Sequence, residues 1–339
     1  MNGRERAFAM MAGQALDRPP LMPVNMMFAS DFIGAKYHDY VLDHRVMAEG
    51  QIRTAEHFEF DHVSCMSDPC REAADFGATI RYFENQPPAI DEENALLAVK
   101  EDLLHLRIPD PTVSRRMSEC LRVERLLKDR VGREKLVLGW VEGPCAQGAD
   151  LRGINRLMLD FIDDPQFVHD LFAFVVPMEL QYAQAQLAAG ADQIGIGDAA
   201  ASLVGPEIYE EFIFPAEKQM VDSLHAMGTT VRMHICGNIT QILSQMGRLG
   251  CEIVDIDALV PLSQARADLG PQPFLLGNLD TVRVLRDGTP EGIRAAIAEC
   301  HRQAGNKYII GAGCEIPRDT PHRNVRALAD YAHAWAKPT

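Results

Sequence analysis

Residues 193–237 read QIGIGDAAASLVGPEIYEEFIFPAEKQMVDSLHAMGTTVRMHICG. The stretch opens on a short apolar run, QIGIGD (193–198), and closes on another, VRMHICG (231–237). Between them, 206–227 is helical in pattern, opening at Pro206 and closing at Gly228, since proline suits the first helical turn and glycine a left-handed stop. A strand, a helix and a second strand within one such cycle imply a parallel βαβ unit. The apolar runs barely alternate, as expected of strands covered on both faces.

The same cycle extends in both directions. Upstream, LVLGWVEG (136–143) is strand-like. A helix follows from Pro165, with Asp164 as its cap and Phe167, Leu171, Phe174 and Met178 on one face, and ends near Gly190. Downstream, 240–249 is helical up to Gly250, and IVDIDALV (253–260) and PFLLGNLD (273–280) are strands joined by short connections. A helix at 290–304 ends at Gly305, KYIIGAG (307–313) is a strand, and 321–336 is a closing helix. HVSCMSD (62–68) is an earlier strand candidate, and 80–118 is a proline-punctuated excursion. The first 60 residues are less regular, with PPLMPVNMMF (19–28) as the lead-in to an early strand. The long alternation, with no glycine-rich nucleotide fingerprint to open it, favours a closed barrel over an open sheet. The expected fold is α/β: a (β/α)8 TIM barrel with an N-terminal extension, one unit over 1–339.

The net charge of -15 opposes nucleic-acid binding, which needs clustered Lys and Arg. No apolar run approaches the ~20 residues of a membrane helix, and the N-terminus lacks the apolar core of a secretion signal. A cytoplasmic protein is expected, and a homodimer is left open. The eight cysteines are scattered, which argues for free thiols or metal ligands and not a disulfide framework.

His234 and Cys236 stand two apart in MHICGN, so on a strand both side chains reach one face. Cys314 follows the strand 307–313, again after a glycine. In a barrel both positions lie at the C-terminal rim, where active sites are built. One imidazole and two thiolates suit zinc, and three protein ligands leave a position for substrate. On spacing alone another reading stands beside this one, with packed core cysteines and a histidine bonded to a carbonyl. Glu142 is a candidate fourth ligand when substrate is absent, or a capping or solvated carboxylate. Asp198, at a strand end, and Asp68, at the end of HVSCMSD, are candidate catalytic carboxylates. Asn278 and Asp280 are read as turn formers, and Cys145, His322 and Cys251 as packing or capping residues.

The segments VEGPCAQGADLRG (141–153), GDAAASLVGPEIYEEFIFP (197–215), GNLDT (277–281) and GCEIPRDTP (313–321) resemble the uroporphyrinogen decarboxylase superfamily. Within it, the His-x-Cys-Gly and later Gly-Cys pattern resembles the methylcobamide:coenzyme M methyltransferase branch. The chain departs from the decarboxylase: PVNMMFASDF (23–32) has no arginine where that enzyme has an arginine-rich motif, and Gly313-Cys314-Glu315 stands for its Gly-His-Gly. The resemblance implies Zn2+ on His234, Cys236 and Cys314, with a methylcorrinoid (methylcobalamin) on a separate corrinoid protein as donor and a thiol such as coenzyme M as acceptor. A sulfonate would need a cationic or backbone N–H partner, and Arg71, Arg152 and Arg318 follow candidate rim segments. Homocysteine or tetrahydrofolate are alternative acceptors. Two further readings are a porphyrinogen-type decarboxylase using Asp68 as acid/base and a non-catalytic corrinoid- or metal-binding accessory protein.

Overall fold

A computed structural model describes residues 1–335. Seven parallel strands form one sheet in chain order: β1 (His62–Ser64), β2 (Leu136–Glu142), β3 (Gln193–Gly197), β4 (Val231–His234), β5 (Ile253–Ile256), β6 (Phe274–Leu279) and β7 (Tyr308–Ala312). The eighth stave is the segment 20–22. On one side Met22 N–H donates to the Ile310 carbonyl at 3.0 Å and Ile310 N–H to the Pro20 carbonyl at 2.8 Å; on the other, Asp61 N–H donates to the Leu21 carbonyl at 2.8 Å. The two sheet edges are thereby joined and the barrel closes. The lead-in expected at 19–28 forms a single bridge at Leu21, because Pro19, Pro20 and Pro23 withhold the donors a longer ladder needs.

Helices cover the outside, and their ends follow the local chemistry. Asp164 accepts from Phe167 N–H at 3.3 Å to cap Pro165–Ala189, which stops at Gly190 with φ 124°. Pro290–Ala304 ends at Gly305, and His322–Ala334 closes the described chain. Residue 336, the expected end of that helix, lies outside the described residues.

Several expectations are corrected. The run at 206–227 is not one regular helix: Tyr209–Ile213 is a π turn ahead of Phe214–Ala226. Pro215 lacks the N–H for an α-helical bond, and the wider turn accommodates it. The helical run at 240–249 shrinks to the single turn Leu243–Met246. The connection between β5 and β6 is longer than expected and carries the helix Leu262–Leu269, since β5 stops at Ile256. Within 80–118, a small hairpin pairs Ile80–Arg81 with Ala89–Ile90, and the helix Arg115–Val131 begins. No helix among the described residues is long and apolar enough to cross a membrane.

Candidate metal centre

The C-terminal ends of β2 to β5 lie in register, with Glu142 opposite Gly197, Gly197 opposite His234, and His234 opposite Asp255. Aligned positions on parallel strands share a face, so this row lies in one layer at the barrel mouth. β4 ends at His234, three residues short of the segment first read as strand (231–237), and Cys236 stands two residues beyond it. Cys314 likewise lies two residues past β7. Gly313 makes that approach possible, because a Cβ there would sit 2.5 Å from the Ala258 backbone nitrogen.

The three ligand atoms lie within 4.8 Å of one another. His234 Nε2 is 2.8 Å from Cys236 Sγ, and the two sulfurs are 3.6 Å apart. Behind the imidazole, Nδ1 is 3.0 Å from Asp255 Oδ2. Arg232, fully buried and two residues before His234, grips the same carboxylate at 2.8–3.0 Å through Nε and Nη2. An anionic acceptor on Nδ1 fixes the tautomer and leaves Nε2 free to ligate.

The protonation of this group is shared. The bond with Cys236, aided by His234, draws the Cys314 thiol down to about 4 despite burial. Its partner Cys236 is pushed up by the same bond and by burial. Burial opposes the imidazolium of His234, yet its interactions with Cys236 and with the Asp255 carboxylate hold its pKa well above the ordinary value. A divalent cation fits this donor set, displacing the protons that now hold it together.

A cavity of about 140 Å³ opens over the three residues, walled by Trp140, Met66, Met26, Asp68 and Glu142. Trp140 lies across β3, where a Cβ at Gly195 would fall 2.2 Å from Cε3 of the indole and one at Gly197 2.9 Å from Cζ2. The two glycines of QIGIGD thus make room for the ring, whose centroid is 6.0 Å from that of His234. A larger groove of about 760 Å³ lies outside the barrel between the helices His44–Phe58 and Arg115–Val131, and holds none of these groups.

The remaining candidates fall in different places. Asp68 lines the cavity with its carboxylate held by Arg116 Nη2 at 2.7 Å, Ser67 Oγ at 2.6 Å and Cys70 N–H at 3.1 Å. Glu142 also lines it, 3.8 Å from Arg71 Nη2, but is not part of the three-residue group. Burial, reinforced by Glu72, raises its pKa well above the carboxylate range. Asp198 does not face the cavity: its fully buried carboxylate accepts from Cys145 N–H at 3.3 Å and Ala146 N–H at 2.6 Å, at the start of the helix Pro144–Arg152. Burial raises it to about 7. Arg71 is fully buried against Glu72 and backbone carbonyls, Arg152 pairs with Asp160 and Arg318 with Asp31, so none of the three reaches the cavity. Asp280 accepts from Val282 and Arg283 N–H, and Asn278 donates to Asp257 and Val260 carbonyls, both shaping turns. His322 packs among Phe28, Phe32 and Phe58, while Cys145 and Cys251 are buried.

Asp255, Arg232, Trp140 and Arg116 were not singled out from sequence. An acid inside the apolar strand 253–256 and a base inside 231–234 were the available signal, because charges at such positions are rarely buried unpaired.

The chain is thus a closed barrel that carries a candidate soft-ligand metal centre, a His/Cys/Cys group, at the ends of its strands. Residues 2–335 match the uroporphyrinogen decarboxylase (URO-D) family, and the chain belongs to it. Among its relatives is methylcobamide:CoM methyltransferase MtbA of Methanosarcina mazei, 30% identical and covering 97% of both chains. A uroporphyrinogen decarboxylase of Crocosphaera subtropica is 25% identical over 94% of this chain and 93% of its own. The fold is similar to that of a solved methyltransferase from Methanosarcina mazei, with a TM-score of 0.89, 22% identity and 98% of each chain covered.

Proposed function

We propose that the chain is a zinc-dependent corrinoid methyltransferase, moving a methyl group from a methylated corrinoid, carried on a separate protein, to a small thiol. The observation that carries this reading is the His234, Cys236 and Cys314 group, gathered within 4.8 Å beneath a cavity. The relatives named methylcobamide:CoM methyltransferase support it.

His234, Cys236 and Cys314 would hold the zinc, leaving one position for the acceptor. When bound, zinc lowers the pKa of the acceptor thiol so that its thiolate is available near neutral pH. Asp255 and Arg232 orient the imidazole. Trp140, Met66 and Met26 wall the cavity and exclude water, so the acceptor is aligned in a confined space and proton transfer matters less than alignment. In the transfer the acceptor sulfur forms a bond to the methyl carbon as the cobalt–carbon bond breaks, and the electron pair leaves with the corrinoid. Asp198 acts at a distance, as a positioning residue that anchors the helix following β2. Exposed Leu203, Leu259 and Val282, on the segments after β3, β5 and β6, offer apolar contacts around the mouth for a carrier. A porphyrinogen is a poor fit, since about 140 Å³ with no lining Lys or Arg among the described residues suits neither its macrocycle nor its carboxylates.

Elemental analysis of purified protein, with methylcobalamin absorbance followed on adding a thiol, tests the reading. One zinc per chain and thiol-dependent demethylation are expected, both lost in Cys236→Ala and Cys314→Ala. A folded, fully active double variant without zinc would refute it.

A further inference from the structure

The cavity wall is made of apolar side chains and carboxyl groups. Its ionisable members outside the three candidate ligands are Asp68 and Glu142, and no Lys or Arg lines it among the described residues. The nearby guanidinium groups stand behind these acids. Arg116 is engaged with Asp68 at 2.7 Å, and Arg71 faces Glu72 at 3.3 Å and the Trp140 carbonyl at 3.4 Å.

Asp68 is fully used by its three donors, whereas Glu142 is not. Only 5% exposed, it accepts no hydrogen bond from a described side chain, and its ion-pair distance to Arg71 is 3.8 Å. Through the register it stands two strands from His234, with side-chain-free Gly197 between them. Two strand spacings are roughly 10 Å, and side chains reaching inward from both ends shorten the gap to the span of a two-carbon thiol. A thiol whose sulfur meets the metal centre therefore presents its far end to Glu142, beside the Trp140 ring.

The geometry points to an acceptor whose far end is cationic: a small aminothiol, with Glu142 as the specificity-determining residue that receives its ammonium group. A fixed anion at that end would enter a low-dielectric wall with no Lys or Arg side chain among the described residues to receive it, whereas an ammonium group pairs with Glu142 once that acid, which burial holds protonated, releases its proton to solvent. The Glu142 carboxylate so formed and the neighbouring Trp140 indole both favour a cation. This assignment rests on the thiol-acceptor reading above and departs from the acceptor in the relatives' name.

Three thiols with the same HS–CH2–CH2– stem isolate the effect: cysteamine, 2-mercaptoethanol and coenzyme M end in an ammonium, a hydroxyl and a sulfonate. Their binding to the zinc-loaded full chain is measured by calorimetry without corrinoid, and corrected for each thiol's own acidity. Cysteamine is expected to bind at least tenfold tighter than coenzyme M, with the neutral thiol between them. Glu142→Gln should collapse that ratio while zinc stays bound. Coenzyme M binding as tightly as cysteamine, or a ratio unchanged in folded Glu142→Gln, would overturn the inference and leave the thiol-acceptor reading intact. Binding of none of the three would remove that reading itself, and the inference with it.

Discussion

Replacing Asp255 by asparagine removes the negative charge shared by His234 Nδ1 and Arg232 while keeping the side chain's shape. Two effects follow, and they are separable. Partners of metal-ligating histidines typically contribute about 10- to 100-fold in metal affinity, or about 1.4–2.8 kcal/mol. The 3.0 Å contact and full burial place Asp255 among the stronger cases. Arg232, fully buried and gripped at 2.8–3.0 Å, loses its counter-charge at the same time. Breaking one half of a buried pair costs about 3–5 kcal/mol of stability. Adding Arg232→Met to Asp255→Asn removes the stranded cation, and should restore most of the stability without restoring metal affinity. Zinc affinity by chelator competition and stability by urea unfolding measure the two terms on the same samples. Zinc affinity within twofold of wild type in Asp255→Asn would refute the orienting role. Recovery of both quantities in the double variant would show that the metal loss was only a folding defect.

His62 supplies a pH dependence. Burial, helped by nearby Arg232, depresses its pKa from the ordinary 6.5 to about 3, so it is neutral in the folded chain. Below about pH 6.5 the unfolded chain takes up a proton that the folded one refuses. Stability therefore falls as pH drops towards 3, by about 1.4 kcal/mol per unit for this group; His62→Gln should flatten the urea-stability slope between pH 5 and 6 by that amount. Asp198→Ala should cost about 1–2 kcal/mol by removing the acceptor at the start of Pro144–Arg152, with zinc stoichiometry unchanged; loss of zinc at full stability would instead place Asp198 at the metal. Gly195→Ala drives a methyl into Trp140 and should cost about 1–3 kcal/mol as overpacking. Combining it with Trp140→Leu should be less costly than the sum of the single changes, and strict additivity in thermal unfolding would refute the contact.

The βα cycle was legible because its determinants are local. Apolar runs ending in glycine, Asp164 before Pro165, and Gly190 and Gly305 as stops each act within a few residues, and the structure places elements there. Elements that depend on distant partners were harder to read. The stave at 20–22 exists only because β1 and β7 offer it unpaired edges, and its prolines hide it from any strand pattern. The π turn at Tyr209–Ile213 follows from Pro215, a local cause, but its form depends on how the helix packs.

For the site, the sequence by itself determined the chemistry of the group: an imidazole and two thiols of soft-ligand character, gathered near strand ends, with each thiol beside a glycine. Only the tertiary structure decided which other residues join them. Asp255 meets His234 through strand register, Trp140 reaches the cavity through the space left by Gly195 and Gly197, and Asp198 turns away to cap a helix. The same fold takes Arg71, Arg152 and Arg318 out of the cavity and leaves Glu142 facing it. Residue type fixes what a side chain can bond, but which groups come within a few ångströms depends on barrel closure and register, to which sequence separation is blind.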